Sequence, residues 1–121
     1  MATDEFYATR SIDGVRVVVF RQSHILDAVA IERMAASLKE LIDHSEETRF
    51  VFSFEPVEYL SSSALGMLIG LEKRCLQRRG EMKLAGINDE VMEVFHITKL
   101  DTVFDIYKDL PAALEAFRKN L

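Results

Sequence analysis

Arg49-Phe50-Val51-Phe52-Ser53-Phe54 is followed, after Glu55-Pro56, by Val57-Glu58-Tyr59-Leu60-Ser61-Ser62-Ser63-Ala64-Leu65-Gly66-Met67-Leu68-Ile69-Gly70. The first run is short, apolar and rich in β-favouring residues, which predicts a buried strand. In the second, Ala64, Leu65 and Leu68, continued by Leu71, Cys75 and Leu76, recur at helical spacing. Three consecutive serines therefore stand where a loop leaving a strand becomes a helix. Two roles suit them. A serine oxygen at a helix N-terminus caps an otherwise unpaired amide. The same amides and the helix dipole favour an anion, so a serine there is also well placed to carry a phosphate.

Upstream, Phe6 to Ile12 and Val15 to Phe20 read as strands joined by Asp13-Gly14, residues that tolerate the positive φ of a tight hairpin turn. Val15 to Phe20 is apolar at nearly every position, as a central strand buried on both faces would be. Asp27 is the predicted N-cap of a helix whose stripe is Ile31, Met34, Leu38, Leu41 and Ile42. Downstream, the serine-led helix ends in Lys73, Arg74, Arg78 and Arg79 before Gly80, the expected C′ glycine. Gly66 and Gly70 each cost about 1 kcal/mol of helix propensity, which suggests a face where the backbone packs closely on a neighbour. Glu81 to Ala85 is a further strand. Asn88 caps a helix carrying Val91, Val94, Phe95 and Thr98. Val103 to Tyr107 is the last strand, and Asp109 and Pro111 open a final helix with Leu110, Ala113, Leu114 and Phe117 inward. The order β-β-α-β-α-β-α-β-α predicts an α/β fold: a mostly parallel sheet after an N-terminal hairpin, within one domain over residues 1–121.

Composition narrows the function. The 121 residues are 49% hydrophobic and 29% charged, with a formal net charge of -5, which argues for a soluble globular protein and against direct nucleic-acid binding. The start is polar and acidic and the apolar runs are short, so neither a signal peptide nor a membrane span is expected, and the cytoplasm is the default location. Cys75 is the lone cysteine and falls on an apolar helix face, where a buried structural thiol is expected. His24, His44 and His96 lack metal-ligand spacing. Ser62 has no nucleophile elbow around it, because Leu60 and Ala64 stand at the glycine positions. Neither a phosphate-binding glycine loop nor a dinucleotide fingerprint occurs. No catalytic residue, metal or cofactor is assigned. An enzyme using Ser62 with His24 or Asp27 would need a histidine nitrogen within about 3 Å of a serine oxygen.

The run Leu60-Ser61-Ser62-Ser63-Ala64-Leu65-Gly66, with Gly70 beyond it, resembles the central motif of STAS domains, in particular the bacterial anti-sigma factor antagonists. That motif is hydrophobic-Asp-Ser-Ser/Thr-Gly-Leu-Gly. Ile25-Leu26-Asp27, Arg79-Gly80-Glu81-Met82 and Val94-Phe95-His96-Ile97-Thr98-Lys99-Leu100 resemble further family segments, and the likeness spans nearly the whole chain. It implies a mixed sheet with the helices packed mainly on one face. It also implies a protein-binding switch in which a partner anti-sigma factor, a serine kinase, phosphorylates the serine after the motif aspartate, here Ser62, with Ser63 and Ser61 as lesser candidates. A serine phosphatase would reverse the step. By the same resemblance Asp27, Ser61, Ser62, Ser63, Ala64 and Met67 are the partner-binding set. Two positions depart from the motif. Ser61 replaces its aspartate, which bears on the choice of serine. Ala64 replaces its first glycine, putting a Cβ where a partner would press. The alternative within the family is a scaffold or transporter-regulating subunit that is not phosphorylated.

Overall fold

A computed structural model describes residues 2–3 and 5–119. Its elements are β1 (Ala2–Thr3), β2 (Tyr7–Ile12), β3 (Val15–Phe20), β4 (His24–Ile25), α1 (Ala28–His44), β5 (Arg49–Ser53), β6 (Tyr59–Leu60), α2 (Ser62–Gln77), β7 (Glu81–Ala85), α3 (Asp89–Ile97), β8 (Asp105–Tyr107) and α4 (Leu110–Lys119), with a 3-10 turn at Leu100–Thr102. Six strands form one sheet in the order β1-β2-β3-β5-β7-β8, and β4 pairs with β6 separately. β2 and β3 are an antiparallel hairpin turned by Asp13 and Gly14, both at positive φ (51° and 80°). The steps β3 to β5, β5 to β7 and β7 to β8 are all parallel.

Strand order advances in one direction along the sheet. Right-handed crossovers that all step the same way put their helices on the same face. The packing agrees. Val18, Phe20, Phe50, Phe52, Met82 and Leu84 face Met34, Leu38, Leu68, Leu71 and Phe95 of α1, α2 and α3 in one cluster. Only α4, which follows the last strand, crosses the opposite face, where Ala113 and Phe117 meet Val15, Val17, Val51 and Ala85. The register explains the division: Val17 lies opposite Val51 and Val51 opposite Lys83, while the next row is Val18, Phe52 and Leu84. Lys83 points to the α4 face, where its ammonium pairs with Asp105 and sits 4.5 Å from the Phe117 ring centroid.

Several details differ from the sequence reading. The last strand starts at Asp105 rather than Val103, because the amides of Val103 and Phe104 both turn back to the Leu100 carbonyl. Leu76 is 61% exposed and lies off the buried face of α2. Gly66 packs on nothing: a Cβ built there meets no atom within 4 Å, and at Gly70 the nearest is Lys39 Cε at 3.9 Å. At the end of α2 the left-handed residue is Arg79 (φ 59°), not Gly80. Arg79 N–H bonds Leu76 O and Gly80 N–H bonds Cys75 O, the paired bonds of a Schellman end. Glycine is needed one place later, because a Cβ at Gly80 would stand 2.5 Å from Thr48 O. Cys75 is fully buried, and burial, with the Glu72 charge, pushes its thiol up to about 12.

Candidate functional site

The parallel strands deliver their following loops to one edge, where all four helices begin, α1, α2 and α3 on the shared face. Each of these three starts is capped by its own side chain. Asp27 Oδ1 accepts from Val29 N–H at 3.2 Å, Ser61 Oγ from Ala64 N–H at 3.2 Å, and Asn88 Oδ1 from Val91 N–H at 2.8 Å. The three loops are stitched together. β4 and β6 pair in parallel, His24 opposite Tyr59 and Ile25 opposite Leu60. Ser61 N–H donates to Ile25 O at 3.0 Å, and Glu58 N–H to Ser23 O at 2.7 Å. Asn88 Nδ2 donates to the carbonyls of Val57 and Glu58, 3.2 Å each.

Asp27 and Ser62 each stand two residues beyond the last pair of this small sheet, Ile25 with Leu60. Residues distant in sequence are thus presented on one edge. The three serines divide their labour. Ser61 is the N-cap, doing locally what an aspartate at that position would do. Ser62 and Ser63 are the first two helical residues and both are exposed. Their amides precede the first intrahelical bond, that of Leu65 N–H to Ser61 O, and so remain available to an anion. Gly66, one turn after Ser62, is exposed too, so the row beyond Ser62 is flat.

Ala64 and Met67 do not belong to this surface. Ala64 is 0% and Met67 7% exposed, because they sit on the face of α2 that packs against the sheet and α1. The position where a partner can approach the backbone is Gly66, not Ala64. Residues that the sequence reading left out flank the serines. Leu26 (52% exposed) and Val29 (65%) lie beside Asp27, and Tyr59 (48%) precedes the serines. A groove of about 210 Å³ runs between Tyr59, Leu60 and Leu65 on one side and Glu90, Val91 and Val94 of α3 on the other. A second hollow, of about 430 Å³, lies on the β4–α1 side, lined by residues including Ser23, His24, Asp27 and Met34. The strand order never reverses, so the edge lacks the topological switch point at which open α/β sheets form a ligand crevice. What remains is a broad surface.

His24 turns to its neighbour: Nδ1 lies 2.8 Å from Ser23 Oγ, and the ring stacks on Tyr59 at 5.2 Å between centroids. Among the described residues no histidine nitrogen is bonded to Ser61, Ser62 or Ser63. Among the same residues no helix is long and apolar enough to cross a membrane.

The family model of the STAS domain matches residues 7–113. BtrV of Bordetella bronchiseptica, provisionally an anti-sigma factor antagonist, is 27% identical over 110 residues, covering 91% of this chain and 92% of that one. An anti-sigma factor antagonist of Mycobacterium paratuberculosis has a similar solved structure, with a TM-score of 0.80 and 25% identity over 93% of this chain and 92% of that chain. The Bacillus cell fate determinant SpoIIAA in its phosphorylated form shares the fold, at a TM-score of 0.67 and 16% identity over 95% of this chain and 99% of that chain.

Proposed function

Because the chain belongs to the STAS domain family, we propose that it is an anti-sigma factor antagonist that works as a phosphorylation-controlled partner switch. Unphosphorylated, it binds an anti-sigma factor serine kinase through the serine edge and frees the sigma factor in the cytoplasm. Phosphate on Ser62 releases it, and a serine phosphatase resets it. The observation that carries this reading is the division of labour among the serines. Ser61 holds the cap, so Ser62 is left exposed, in the first turn, with free amides and a flat row beyond it. Asp27 is presented on the same edge through the β4–β6 pairing. That pairing and Asp27 supply a fixed relief around the acceptor.

The chemistry of release follows from charge. A phosphoserine brings about -1.5 to -2 charges at neutral pH. The amides of the first turn can hold it without rebuilding the domain. The SpoIIAA fold is known in a phosphorylated form, which supports a switch that acts on the partner surface rather than by refolding. The partner must then desolvate or repel a dianion beside the Asp27 carboxylate.

The test is phosphopeptide mapping after incubation with ATP and the candidate kinase, with calorimetric binding for each serine variant. Ser62→Asp is expected to bind at least about tenfold more weakly, or roughly 1.4 kcal/mol. Ser62→Ala should bind and not be released, while Ser61→Ala and Ser63→Ala remain switchable. Phosphate on Ser63, or undiminished labelling of Ser62→Ala, refutes the residue assignment. Labelling of none of the three points to the scaffold alternative.

A further inference from the structure

Asn88 has two roles in one side chain. It stands in the loop from β7 to α3, on the serine edge. Its Oδ1 caps α3 by accepting from Val91 N–H at 2.8 Å, while its Nδ2 donates to the carbonyls of Val57 and Glu58, 3.2 Å each. Both ends of the amide are therefore used, and each amide hydrogen has an acceptor.

The second role falls on the segment that leads into Ser62. The N–H groups of Glu58, Tyr59 and Ser61 are held from the β4 side, by Ser23 O and Ile25 O. The carbonyls of Val57 and Glu58 are held from the α3 side, by Asn88. The β4 clamp is backbone to backbone, so replacing a side chain does not remove its donors or acceptors. The α3 clamp rests on two donors of one residue. Without them the loop is tied to β4, and the edge formed by Tyr59, Leu60 and Ser61 is free to lift from α3. An aspartate would cap α3 as well as asparagine does, but it has no donor for the two carbonyls. Capping alone therefore does not call for asparagine here.

We propose that Asn88 is a positioning residue for phosphate transfer to Ser62. The inference rests on the switch reading above and adds the residue that fixes the acceptor loop for the reaction. In that reaction Ser62 Oγ bonds to the γ-phosphorus of ATP and the bond from that phosphorus to the bridging oxygen breaks. ADP leaves, and the serine proton passes to a base of the kinase. In-line transfer depends on where the acceptor stands relative to ATP, and a displacement of about 1 Å can cost a factor of ~10². A kinase that reaches Ser62 must close over this loop, so a loop loose on one side spoils alignment more than it spoils binding.

The test compares wild type with Asn88→Asp and Asn88→Ser. Both variants keep a capping oxygen and lose the amide donors, and the serine variant adds no charge. The kinase is whichever ATPase-type anti-sigma factor encoded in the same genome phosphorylates wild-type Ser62 from ATP. Hydrogen exchange followed by NMR reports the loop without any kinase. In both variants the amides of Glu58 and Tyr59 should exchange at least about tenfold faster, with the Val91 amide unchanged. The kcat for labelling of Ser62 should fall at least about tenfold, while the Kd of the unphosphorylated protein for the kinase stays within about threefold. Melting temperatures show that the variants are folded; should Asn88→Asp fail this, Asn88→Ser carries the test. Faster exchange with undiminished kcat leaves Asn88 a structural clamp and overturns the proposal. So does a lowered kcat without faster exchange, since the loop has then not loosened. A weakened Kd with kcat retained makes Asn88 a direct contact, and overturns it too. In all three cases the switch stands. If no kinase phosphorylates wild-type Ser62, the switch reading falls and the positioning role falls with it.

Discussion

Replacing Glu47 by glutamine removes a partly buried charge and one of the two acceptors that Arg16 grips. Glu47 closes the connection between α1 and β5. Arg16 of β3 grips it with two nitrogens, Nε to Oε1 and Nη2 to Oε2, each at 3.2 Å. Ser45 Oγ donates to Oε1 at 2.7 Å, and the side chain is 13% exposed. Burial pushes the carboxyl up, but hydrogen bonds from Ser11, Ser45, its own backbone amide and Arg16 outweigh it, taking it from 4.5 to about 2. The folded state therefore holds this proton more weakly than the unfolded chain. Its stabilisation is complete above the unfolded value of 4.5 and is lost as the pH falls through about 2. The gap corresponds to roughly 3 kcal/mol at pH 7, of which less than half remains at pH 3. Urea unfolding of wild type and Glu47→Gln at pH 7, 5, 4 and 3 measures it. Glu47→Gln should be about 2–3 kcal/mol less stable at pH 7, and the difference should shrink by about 2 kcal/mol by pH 3. A difference that is constant with pH, or below about 0.5 kcal/mol at pH 7, refutes the reasoning.

Lys83 tests the opposite face. Its side chain is 5% exposed and pairs with the half-exposed carboxylate of Asp105. Burial would lower its proton affinity, but the hydrogen bond and charge of Asp105, with Tyr107, raise it. Asp105→Asn should cost roughly 1–3 kcal/mol by thermal unfolding, because it strands a buried cation, whereas Lys83→Met should be near neutral. Gly66→Ala should stabilise by about 0.5–1 kcal/mol, since open space surrounds the added methyl, while any effect on partner binding reports the flat row beside Ser62. Gly80→Ala should lower stability and expression, since Thr48 O blocks its Cβ; a melting temperature equal to wild type would contradict this. Ser61→Ala should cost about 1 kcal/mol in urea unfolding as a lost cap.

The fold was readable because its rules are local. The Asp13-Gly14 turn, the Asp27 and Asn88 caps and the apolar runs each carry their own signal, and handedness supplies the shared helix face. The shape of the site was less readable. β4 and β6 are two residues each, too short for any periodicity, yet they join the Asp27 and Ser62 loops. Asn88 read as a cap, but nothing local reveals that its amide also reaches Val57 and Glu58. Ala64 and Met67 were assigned to the partner surface by position in a motif. Helix phase turns them inward and leaves Gly66 outside. The same phase exposes Leu76, which apolar spacing alone placed in the core.

The stitch of β4 to β6 bears on what sort of kinase substrate the proposed acceptor Ser62 would be. Its chain cannot lie stretched in a kinase cleft as a peptide would. The amides of Glu58, Tyr59 and Ser61 are already committed to Ser23 and Ile25, and Ser62 itself is wound into a helix. An enzyme that modifies it must recognise relief assembled from three loops, not a string of letters. A synthetic peptide of residues 57–70 keeps every residue of the motif and loses every one of those anchors. It should be phosphorylated far more slowly than the folded chain. Under the proposed switch, partial unfolding should then abolish phosphorylation of Ser62, so that intact molecules alone are switched.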